Sequence, residues 1–266
     1  MGDLIVRDVA GEDRPPVAVV IAARDASAHI TDCVASVVDW AAETIVVEND
    51  SVDDTLALAE HAGARVFAHP FRTIGAQRNV AIERATQPWI FVLDVDERCT
   101  PQLAAEIAAA VATPVYDAYR VRRRNFFLRH EILHGGWERD RPVRLFRSSL
   151  RYDERPVHEH VVTHAPPGEL REPMLHYPYE SLNEYFEKFG RYSRWWAEQQ
   201  HARGRVATPL DVLVRPPLRF LAMYLLRGGF LDGAHGLVLA VLAAMSVGAK
   251  YAQLWAMGTG FSGRDG

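Results

Sequence analysis

Cysteine is scarce in this chain, and its scarcity excludes two ways of stabilising a fold. Only two cysteines, Cys33 and Cys99, occur in 266 residues, and neither belongs to a Cys-x-x-Cys pair. We therefore expect neither a disulfide framework nor a structural zinc site, and a reducing cytoplasm fits this composition. The first sixteen residues also lack the apolar core of a signal peptide, so export is not expected.

A strong net charge is missing as well. The formal net charge is −4, which argues against a general nucleic-acid-binding protein. The charge is unevenly placed, because residues 120–155 contain eleven arginines and only five acids. Such a run is usually a solvated face, but beside a metal site it can hold a phosphorylated substrate.

No apolar run reaches the roughly twenty uncharged residues of a membrane-spanning helix. Residues 218–226 and 236–257 are strongly apolar, but Lys250 breaks the second stretch. Further interruptions are expected at Pro216, Pro217, Gly228, Gly229 and Gly233. The pattern predicts a helical hairpin. It is either an intramolecular layer, the favoured interpretation, or an interfacial anchor that places basic residues near headgroups, namely Arg215, Arg219, Arg227 and Lys250.

The first half of the chain alternates short apolar runs with helical periodicity, as βα units of a mainly parallel sheet do. The predicted strands are residues 17–22, 44–47, 65–68 and 88–94, and the predicted helices are residues 30–38, 53–62, 75–85 and 101–112. Beyond residue 116, β-prone stretches at 118–127 and 143–146 predict a mixed segment that completes the sheet and closes over the site. Ser181 begins a capping box with Glu184 and a long helix.

Two carboxylates one residue apart, Asp94 and Asp96, end the fourth predicted strand. Ligands of open α/β sheets bind beyond the carboxyl ends of the strands, and Mg²⁺ or Mn²⁺ often binds through one or two carboxylates plus substrate phosphates. A solvated turn is the alternative for an isolated Asp-x-Asp, so the neighbouring segments decide between the two.

Three further polar segments fall at predicted strand ends or at a helix start: residues 22–25, 48–51 and 75–79. Glu48 or Asp50 can accept a hydrogen bond from a base N–H or a ribose hydroxyl, and Arg78 can pair with a pyrophosphate. Together with the Asp pair, these segments predict a nucleotide pocket.

In order and spacing these segments resemble the family 2, GT-A-fold glycosyltransferases. Residues 46–55, Val-Val-Glu-Asn-Asp-Ser-Val-Asp-Asp-Thr, are similar to the uridine-binding segment of that family, with Glu48 in place of its usual first Asp. Residues 75–79, Gly-Ala-Gln-Arg-Asn, resemble the diphosphate-side helix, and residues 93–97, Leu-Asp-Val-Asp-Glu, resemble the metal motif.

The resemblance implies an α/β, GT-A (Rossmann-like) fold: a mixed, mainly parallel sheet flanked by helices, with a C-terminal helical hairpin. It also implies that Asp94 contacts the sugar or ribose and that Asp96 binds a divalent metal, Mn²⁺ or Mg²⁺. The implied nucleotide-sugar-binding residues are Ala23, Arg24, Glu48, Asp50, Gln77, Arg78, Asp94 and Arg144.

The second half narrows the resemblance to the subgroup that contains lipopolysaccharide-core glucosyltransferases. The similar segments are residues 124–126, 134–137, 144–147, 157–159 and 176–178. His158-Glu159 stands where the family has a Glu-Asp catalytic pair, which implies that Glu159 is the base; Asp140 is the second candidate and Glu131 the third. Each of these acids has a surface ion pair as its alternative. His176 resembles a further metal ligand, with a purely structural histidine as its alternative.

The resemblance implies an inverting, hexosyltransferase-type glycosyltransferase that moves a sugar from a nucleoside-diphosphate sugar, with UDP favoured, to a glycan or glycolipid acceptor of the cell envelope. We expect a catalytic domain over residues 1–180, with a nucleotide-sugar half at about 17–112 and an acceptor half at about 116–180, and a helical extension over 181–266. The expected location is cytoplasmic, with peripheral contact at the inner membrane face left open, and a homo-oligomer is compatible with the sequence. The alternative function is a GT-A-like module that binds a nucleotide or glycolipid without turnover.

Overall fold

The computed structural model describes residues 14–153, 155 and 159–260, which form two compact units. The first unit comprises Met1–Arg123 and Arg141–His176, and the second comprises Arg124–Asp140 and Tyr177–Gly266. The helical extension expected from residue 181 therefore shares a unit with Arg124–Asp140. The domain boundary at residue 180 stays a prediction.

Eleven strands are found among the described residues. They are β1 (Val17–Ala23), β2 (Glu43–Glu48), β3 (Arg65–Ala68), β4 (Trp89–Asp94), β5 (Glu97–Arg98), β6 (Ala118–Arg120), β7 (Arg123–Phe127), β8 (His130–Ile132), β9 (Val143–Arg147), β10 (Gly168–Glu169) and β11 (Met174–Tyr179). Seven of them form the sheet of the first unit in the order β10-β6-β9-β4-β1-β2-β3. The neighbours β3, β2, β1 and β4 are parallel, and β9 is antiparallel to β4 and β6. The predicted mixed, mainly parallel sheet is confirmed.

Seven α-helices accompany the strands in the described part of the chain. They are α1 (Ile30–Ala35), α2 (Thr55–His61), α3 (Ile74–Arg84), α4 (Pro101–Ala112), α5 (Leu182–Ala202), α6 (Pro209–Leu221) and α7 (Gly233–Gly258). The first four lie close to their predicted bounds. Thr100 caps α4 as predicted, since its hydroxyl accepts from the Leu103 N–H at 3.1 Å.

Strand β1 shows why the sheet is covered on both faces. Its side chains alternate between two apolar clusters, and all seven residues are apolar. Val19 and Ile21 belong to a cluster that includes Leu103 of α4, whereas Val20 belongs to the cluster that includes Ala81 of α3. Helices on opposite faces therefore cover β1, an inner strand of the sheet. Its carboxyl end lies at the side of the sheet where the parallel strands end.

In the second unit, α5 and α6 both pack on α7. Tyr185 of α5 donates its hydroxyl proton to the Leu242 carbonyl of α7 at 3.0 Å. One turn of π-helix (Ala222–Leu226) and one of 3₁₀-helix (Gly229–Asp232) connect α6 to α7. The predicted helical hairpin is confirmed in this form.

Pro216 and Pro217 were expected to interrupt the hairpin, and this prediction is wrong: both lie inside α6. Proline in a helix removes a hydrogen-bond donor and crowds the preceding turn. Packing on α7 compensates, because Pro216 lies opposite Gly248, where an added Cβ would stand 3.4 Å from the proline ring. Tertiary contact thus overrides the local preference.

The capping box at the start of α5 differs from the prediction by one residue. The Ser181 hydroxyl accepts from the Glu184 N–H at 3.1 Å, as predicted. The Glu184 carboxylate accepts from the N–H of Glu180, at 2.9 Å, instead of that of Ser181.

Among the described residues, one helical segment, Gly229–Gly258, is long and apolar enough by length and composition to cross a membrane, with a mean hydropathy of 1.7. Lys250 lies within this segment, so its uncharged apolar run stays shorter than twenty residues, as expected from the sequence. Length and composition also suit the core helix of a soluble protein. The packing of this segment must therefore distinguish a membrane-spanning helix from a core helix.

Candidate active site

The candidate site lies in the first unit, where parallel strands β1, β2 and β4 end side by side. Ala23 is the last residue of β1 and is paired in register with Glu48, the last residue of β2. Asp94 is the last residue of β4, and Ala22 of β1 is its partner. Because parallel strands end at one edge of a sheet, the three predicted segments do meet there.

The loops after β1 and β2 hold each other in place. Asp25 accepts from the Val52 N–H at 2.9 Å, and the Asp25 N–H donates to the Ser51 hydroxyl at 3.1 Å. Asp25 and Asp50 have positive φ angles of 46° and 50°, which short polar side chains tolerate better than most. The loops after β1 and β2, which border the candidate site, are therefore preorganised by side chains within the predicted nucleotide segments.

Asp53 is the firmest link between these loops. Its carboxylate accepts from the Ser27 N–H at 3.0 Å and from the Thr55 N–H at 3.1 Å, and the Thr55 hydroxyl accepts from the Ala26 N–H at 2.7 Å. Burial raises the pKa of Asp53, but the hydrogen bonds from Thr55 and Ser27 outweigh it and lower the pKa to about 2. Helix α2 starts at Thr55, later than predicted, because Asp53 forms this turn.

Glu48 and Asn49, at the end of β2, differ in whether their side chains already have hydrogen-bond partners. The Glu48 carboxylate accepts from the Ser51 N–H, so part of its capacity is used within its own loop. Asn49 is 5% exposed, and its side-chain nitrogen has no hydrogen-bond partner among the described residues. A buried amide donor without a partner is costly unless a ligand oxygen satisfies it. Asn49 lay inside the predicted nucleotide segment without being assigned a role.

The Asp-x-Asp turn is closed by the acid that follows it. Glu97 accepts from the Asp94 N–H at 2.8 Å and is fully buried. Strand β5, which starts at Glu97, pairs antiparallel with β11, and His176 is the register partner of Glu97. This pairing brings His176 beside Asp96, which sequence distance alone would not reveal.

Three arginines converge on this turn. Arg78, Arg123 and Arg144 all donate to the Asp94 carboxylate, and the latter two also donate to Glu97. Burial raises the pKa of Asp94, but the positive charges, that of Arg144 foremost, hold it well below its ordinary value. Asp94 is therefore ionised at neutral pH and is fixed in position by its partners.

Arg78 also connects the turn with the candidate base. One of its terminal nitrogens donates to Asp94 and the other to Glu159. The guanidinium carbon lies 5.0 Å from the ring centre of Tyr152, and Tyr152 is buried. Glu159 thus lies at the candidate site, where its partner is the arginine predicted to bind pyrophosphate, and its role as the base stays a prediction. His158 lies outside the described residues.

Asp96 and His176 lie close enough together to share one metal ion. Asp96 Oδ1 and His176 Nε2 are 3.7 Å apart, and both side chains are mostly buried. Two donors that each bind at about 2.1 Å can share one ion at this separation. Burial lowers the pKa of His176 and outweighs the opposing effect of Asp96, and Arg123 lowers the pKa further, so the imidazole is neutral and able to ligate at neutral pH. The described residues contain no group of three or more His, Cys, Asp and Glu able to hold an ion.

Other predicted residues have local partners. Gln77 is bound to His69 through two contacts of 2.9 Å, and Arg24 is a surface partner of Asp25 at 3.5 Å. Glu131 forms a two-point ion pair with Arg124, at 2.8 and 2.6 Å. Asp140 is exposed and belongs, like Glu131, to the second unit. Arg123 and Tyr152, by contrast, were missed as candidates; an arginine-rich run gives no signal for which member reaches the Asp-x-Asp turn.

The model of the family "Glycosyl transferase family 2" matches residues 18–166. The lipopolysaccharide core biosynthesis glycosyltransferase LpsC of Rhizobium meliloti is 29% identical over 255 residues, which cover 89% of this chain and 93% of LpsC. An uncharacterized glycosyltransferase of Rickettsia felis is 25% identical over 251 residues, which cover 88% of this chain and 87% of that protein.

Among solved structures, the chain is similar to glucosyl-3-phosphoglycerate synthase from Mycobacterium tuberculosis in complex with Mn²⁺, UDP and glucosyl-3-phosphoglycerate. The TM-score is 0.38 at 21% identity, and the match covers 42% of this chain and 45% of that one. The likeness thus spans less than half of that protein.

Proposed function

The chain belongs to glycosyl transferase family 2, has a GT-A fold and is a glycosyltransferase by that membership; from this premise we propose a metal-dependent, inverting transfer of a hexose. The donor is a nucleoside-diphosphate sugar, with UDP favoured, and the acceptor is a hydroxyl of a glycan or glycolipid. The observation that carries the proposal is the convergence of three separate segments at the strand ends, which bring together the Asp94–Asp96 turn, Arg78 and Glu159.

The donor would lie across the ends of β1 and β2. Asn49 offers its unpartnered amide hydrogen to an oxygen of the base or ribose, and Glu48 and Asp50 offer carboxylate oxygens. Asp94, held by its three arginines, would accept hydrogen bonds from hydroxyls of the sugar or ribose. Ala23, Arg24, Gln77 and Arg144 would act mainly by shaping and supporting this pocket.

Asp96 and His176 would hold the divalent ion, Mn²⁺ or Mg²⁺, together with oxygens of the diphosphate. When bound, such an ion neutralises charge that develops on the leaving diphosphate. Arg78 would add a second positive charge on the same oxygens.

In the transfer step, the acceptor oxygen forms its bond to the anomeric carbon as the bond from that carbon to the diphosphate oxygen breaks. Glu159 would take the proton of the acceptor hydroxyl. Without donor, Arg78 neutralises Glu159. A diphosphate competes for Arg78 and frees the carboxylate, so the proposed order is donor first and acceptor second.

The cell-envelope role rests on the relative LpsC, whose name places it in lipopolysaccharide core biosynthesis. We extend that role to this chain as a proposal: a cytoplasmic enzyme that acts on a lipid-linked acceptor at the inner face of the membrane.

A donor panel tests the reaction. UDP-, GDP- and TDP-sugars are incubated with the protein and Mn²⁺ or Mg²⁺, with and without extracted core glycolipid, and nucleotide release is measured. Turnover with one nucleotide class that stops on chelation is the expected result. The absence of turnover with every donor and acceptor tried would count against catalysis.

Two variants separate the roles. Asp96→Asn should abolish metal-dependent nucleotide binding, whereas Glu159→Gln should keep binding and reduce kcat by at least about a hundredfold, the usual contribution of a general base. The matched control is Asp117→Asn, which changes an exposed acid.

The Arg78–Glu159 ion pair favours one alternative, a binding module without turnover. Nucleotide binding and a cellular role that both survive in Glu159→Gln would support that alternative.

A further inference from the structure

The helical hairpin of the second unit leaves an apolar surface exposed. On α6, exposed leucines follow helical spacing at Leu210, Leu213, Leu218 and Leu221. The connection between α6 and α7 adds Leu225, Leu226, Phe230 and Leu231, and Leu226 is 84% exposed. On α7, the exposed large side chains are Leu237, Val238, Val241, Met245 and Trp255. We call these residues the hairpin surface. Apolar surface of this extent marks an interaction site.

Three cations on the hairpin are uncompensated. Arg219, Arg227 and Lys250 form no hydrogen bond or ion pair through their side chains within the described residues. Arg219 lies near both of the others: burial lowers its pKa and Arg227 lowers it further, and burial followed by Arg219 lowers the pKa of Lys250. Holding like charges close together in a partly buried position costs free energy unless an anion binds between them.

The acids of the hairpin cannot supply that compensation. Asp211 accepts from the Thr208 backbone and from Arg215, at 3.0 and 2.7 Å. Asp232 is buried and accepts from the backbone and ring of His134, both at 2.9 Å. The sequence between Pro209 and Gly258 contains no other acid.

We infer that the hairpin surface docks on a membrane with anionic lipid headgroups, with α6 and α7 lying in the plane of the interface. Apolar side chains would enter the headgroup region, and the three cations would contact lipid phosphates. A second copy of this chain fits less well, because a two-fold interface brings the same surface patch, and hence the same cations, together.

The packing of α5 argues against a transmembrane orientation of α7. Helix α5 runs along α7, with Tyr185 bound to Leu242 and the Trp196 ring 5.0 Å from that of Tyr251. Yet α5 carries six charged residues, at Glu184, Glu187, Lys188, Arg191, Arg194 and Glu198. A spanning α7 would take this helix into hydrocarbon, where each charge is costly. Lying in the interface leaves α5 in water.

The inference rests on the proposed function only for the lipid-linked acceptor, and lipid binding is measured without any nucleotide. The full chain is floated with vesicles of phosphatidylcholine alone or with added phosphatidylglycerol. We expect binding to the anionic vesicles, little to the neutral ones, and release by high salt or alkaline wash. Equal binding to both vesicle types, no binding, or retention through the wash would overturn the inference.

Matched variants locate the contact. Leu226→Glu should reduce vesicle binding at least tenfold, while Val115→Glu, which places the same charge at a 79% exposed site in the first unit, should not. Arg227→Gln should weaken binding about fivefold, the effect of one basic residue near an anionic surface. Arg171→Gln, an exposed arginine of the first unit, is its control. Equal effects of variant and control would contradict the assigned surface.

A measurement of nucleotide binding distinguishes a failure of this inference from a failure of the proposed function. Each variant is also tested for binding of UDP with Mn²⁺. Vesicle binding that is absent while nucleotide binding is intact counts against the hairpin surface alone. Nucleotide binding that is absent while vesicle binding is intact counts against the proposed function alone.

Discussion

Asp94 and Glu97 together neutralise one buried arginine, Arg144, and one mostly buried arginine, Arg123, and this balance governs how the site responds to substitution. Arg123 and Arg144 each donate to both acids. The Arg144 side chain is 3% exposed and that of Glu97 is 0% exposed, so water cannot replace a lost partner. Removing one member of such a group leaves an uncompensated buried charge.

Glu97→Gln should therefore destabilise the protein strongly. The amide keeps the shape but loses the negative charge, and breaking a buried pair in this way typically costs about 3–5 kcal/mol. Because Asp94 then loses its fixed position, kcat should fall in the folded variant more than KM for the donor rises. Urea unfolding at neutral pH and steady-state kinetics measure the two effects.

The chain offers a control with the same chemistry at the surface. Glu131 binds Arg124 through two contacts, but the Arg124 side chain is 42% exposed. Glu131→Gln should cost less than about 1 kcal/mol, as solvent-exposed pairs do. A similar loss in both variants would mean that burial of the Glu97 network is not the source of its stability.

Asp53 gives a prediction for the dependence of stability on pH. Its pKa in the folded protein is lowered from an ordinary 3.8 to about 2, so it stabilises the fold above pH 3.8 and loses that effect as the pH falls toward 2. Because this carboxylate is partly open to solvent, screening limits its contribution at neutral pH to about 1 kcal/mol. Asp53→Asn should remove most of it, and the stability difference from wild type should shrink between pH 4 and pH 2. Urea midpoints across that range test this.

The neighbouring Asp54 is the matched control. It is exposed and its side chain makes no capping bond to α2. Asp54→Asn should keep the pH dependence of the wild type. A stability difference for Asp53→Asn that stays constant down to pH 2 would contradict the role assigned to its carboxylate.

At the scale of elements, local patterns predicted most of the first unit. The apolar run of β4 and the Thr-Pro start of α4 each have a local cause, so their bounds could be predicted from sequence. The prolines of α6 could not be interpreted in this way, because their tolerance depends on a glycine of α7 far along the chain. Long-range packing was the information that the sequence pattern lacked.

The first turn of α3 approaches the segment that carries Glu159, and Gly75 permits this approach. A Cβ at Gly75 would stand 2.7 Å from the Asp153 carbonyl oxygen and 3.3 Å from Glu159 Cβ. Gly75→Ala should therefore displace the segment of the candidate base. We expect a loss of about 1–3 kcal/mol, as for overpacking, and a fall in kcat. Thermal unfolding and turnover measure both.

Gly190 in α5 provides the opposite case within the same chain. An added Cβ there meets nothing within 4 Å. Gly190→Ala should stabilise the protein by about 0.5–1 kcal/mol, because alanine is the better helix former. If Gly75→Ala were stabilising to the same extent, the tight approach of α3 to Tyr152, Asp153 and Glu159 would be refuted.

At the scale of the whole molecule, the candidate site assembles from segments that the sequence keeps far apart. The ends of β1, β2 and β4 could be predicted to meet, because parallel strands share an edge. The contribution of His176 depends on the pairing of β11 with β5, and that of Arg123 depends on which arginine of the run reaches Asp94. Neither follows from spacing, so the ligand pair and the arginine network needed the fold.

Every charged side chain assigned to donor or metal binding lies in the first unit, which predicts how ligands change the stability of the chain. A ligand that binds only the folded state at a hundred times its Kd adds about 2.7 kcal/mol. For a chain of this length, that should raise Tm by about 5 °C. UDP with Mn²⁺ should produce this shift in thermal unfolding, and chelation should reverse it. Asp96→Asn should abolish the metal-dependent part, whereas Asp211→Asn, in the second unit, should retain it. An undiminished shift in Asp96→Asn would remove Asp96 from the metal site.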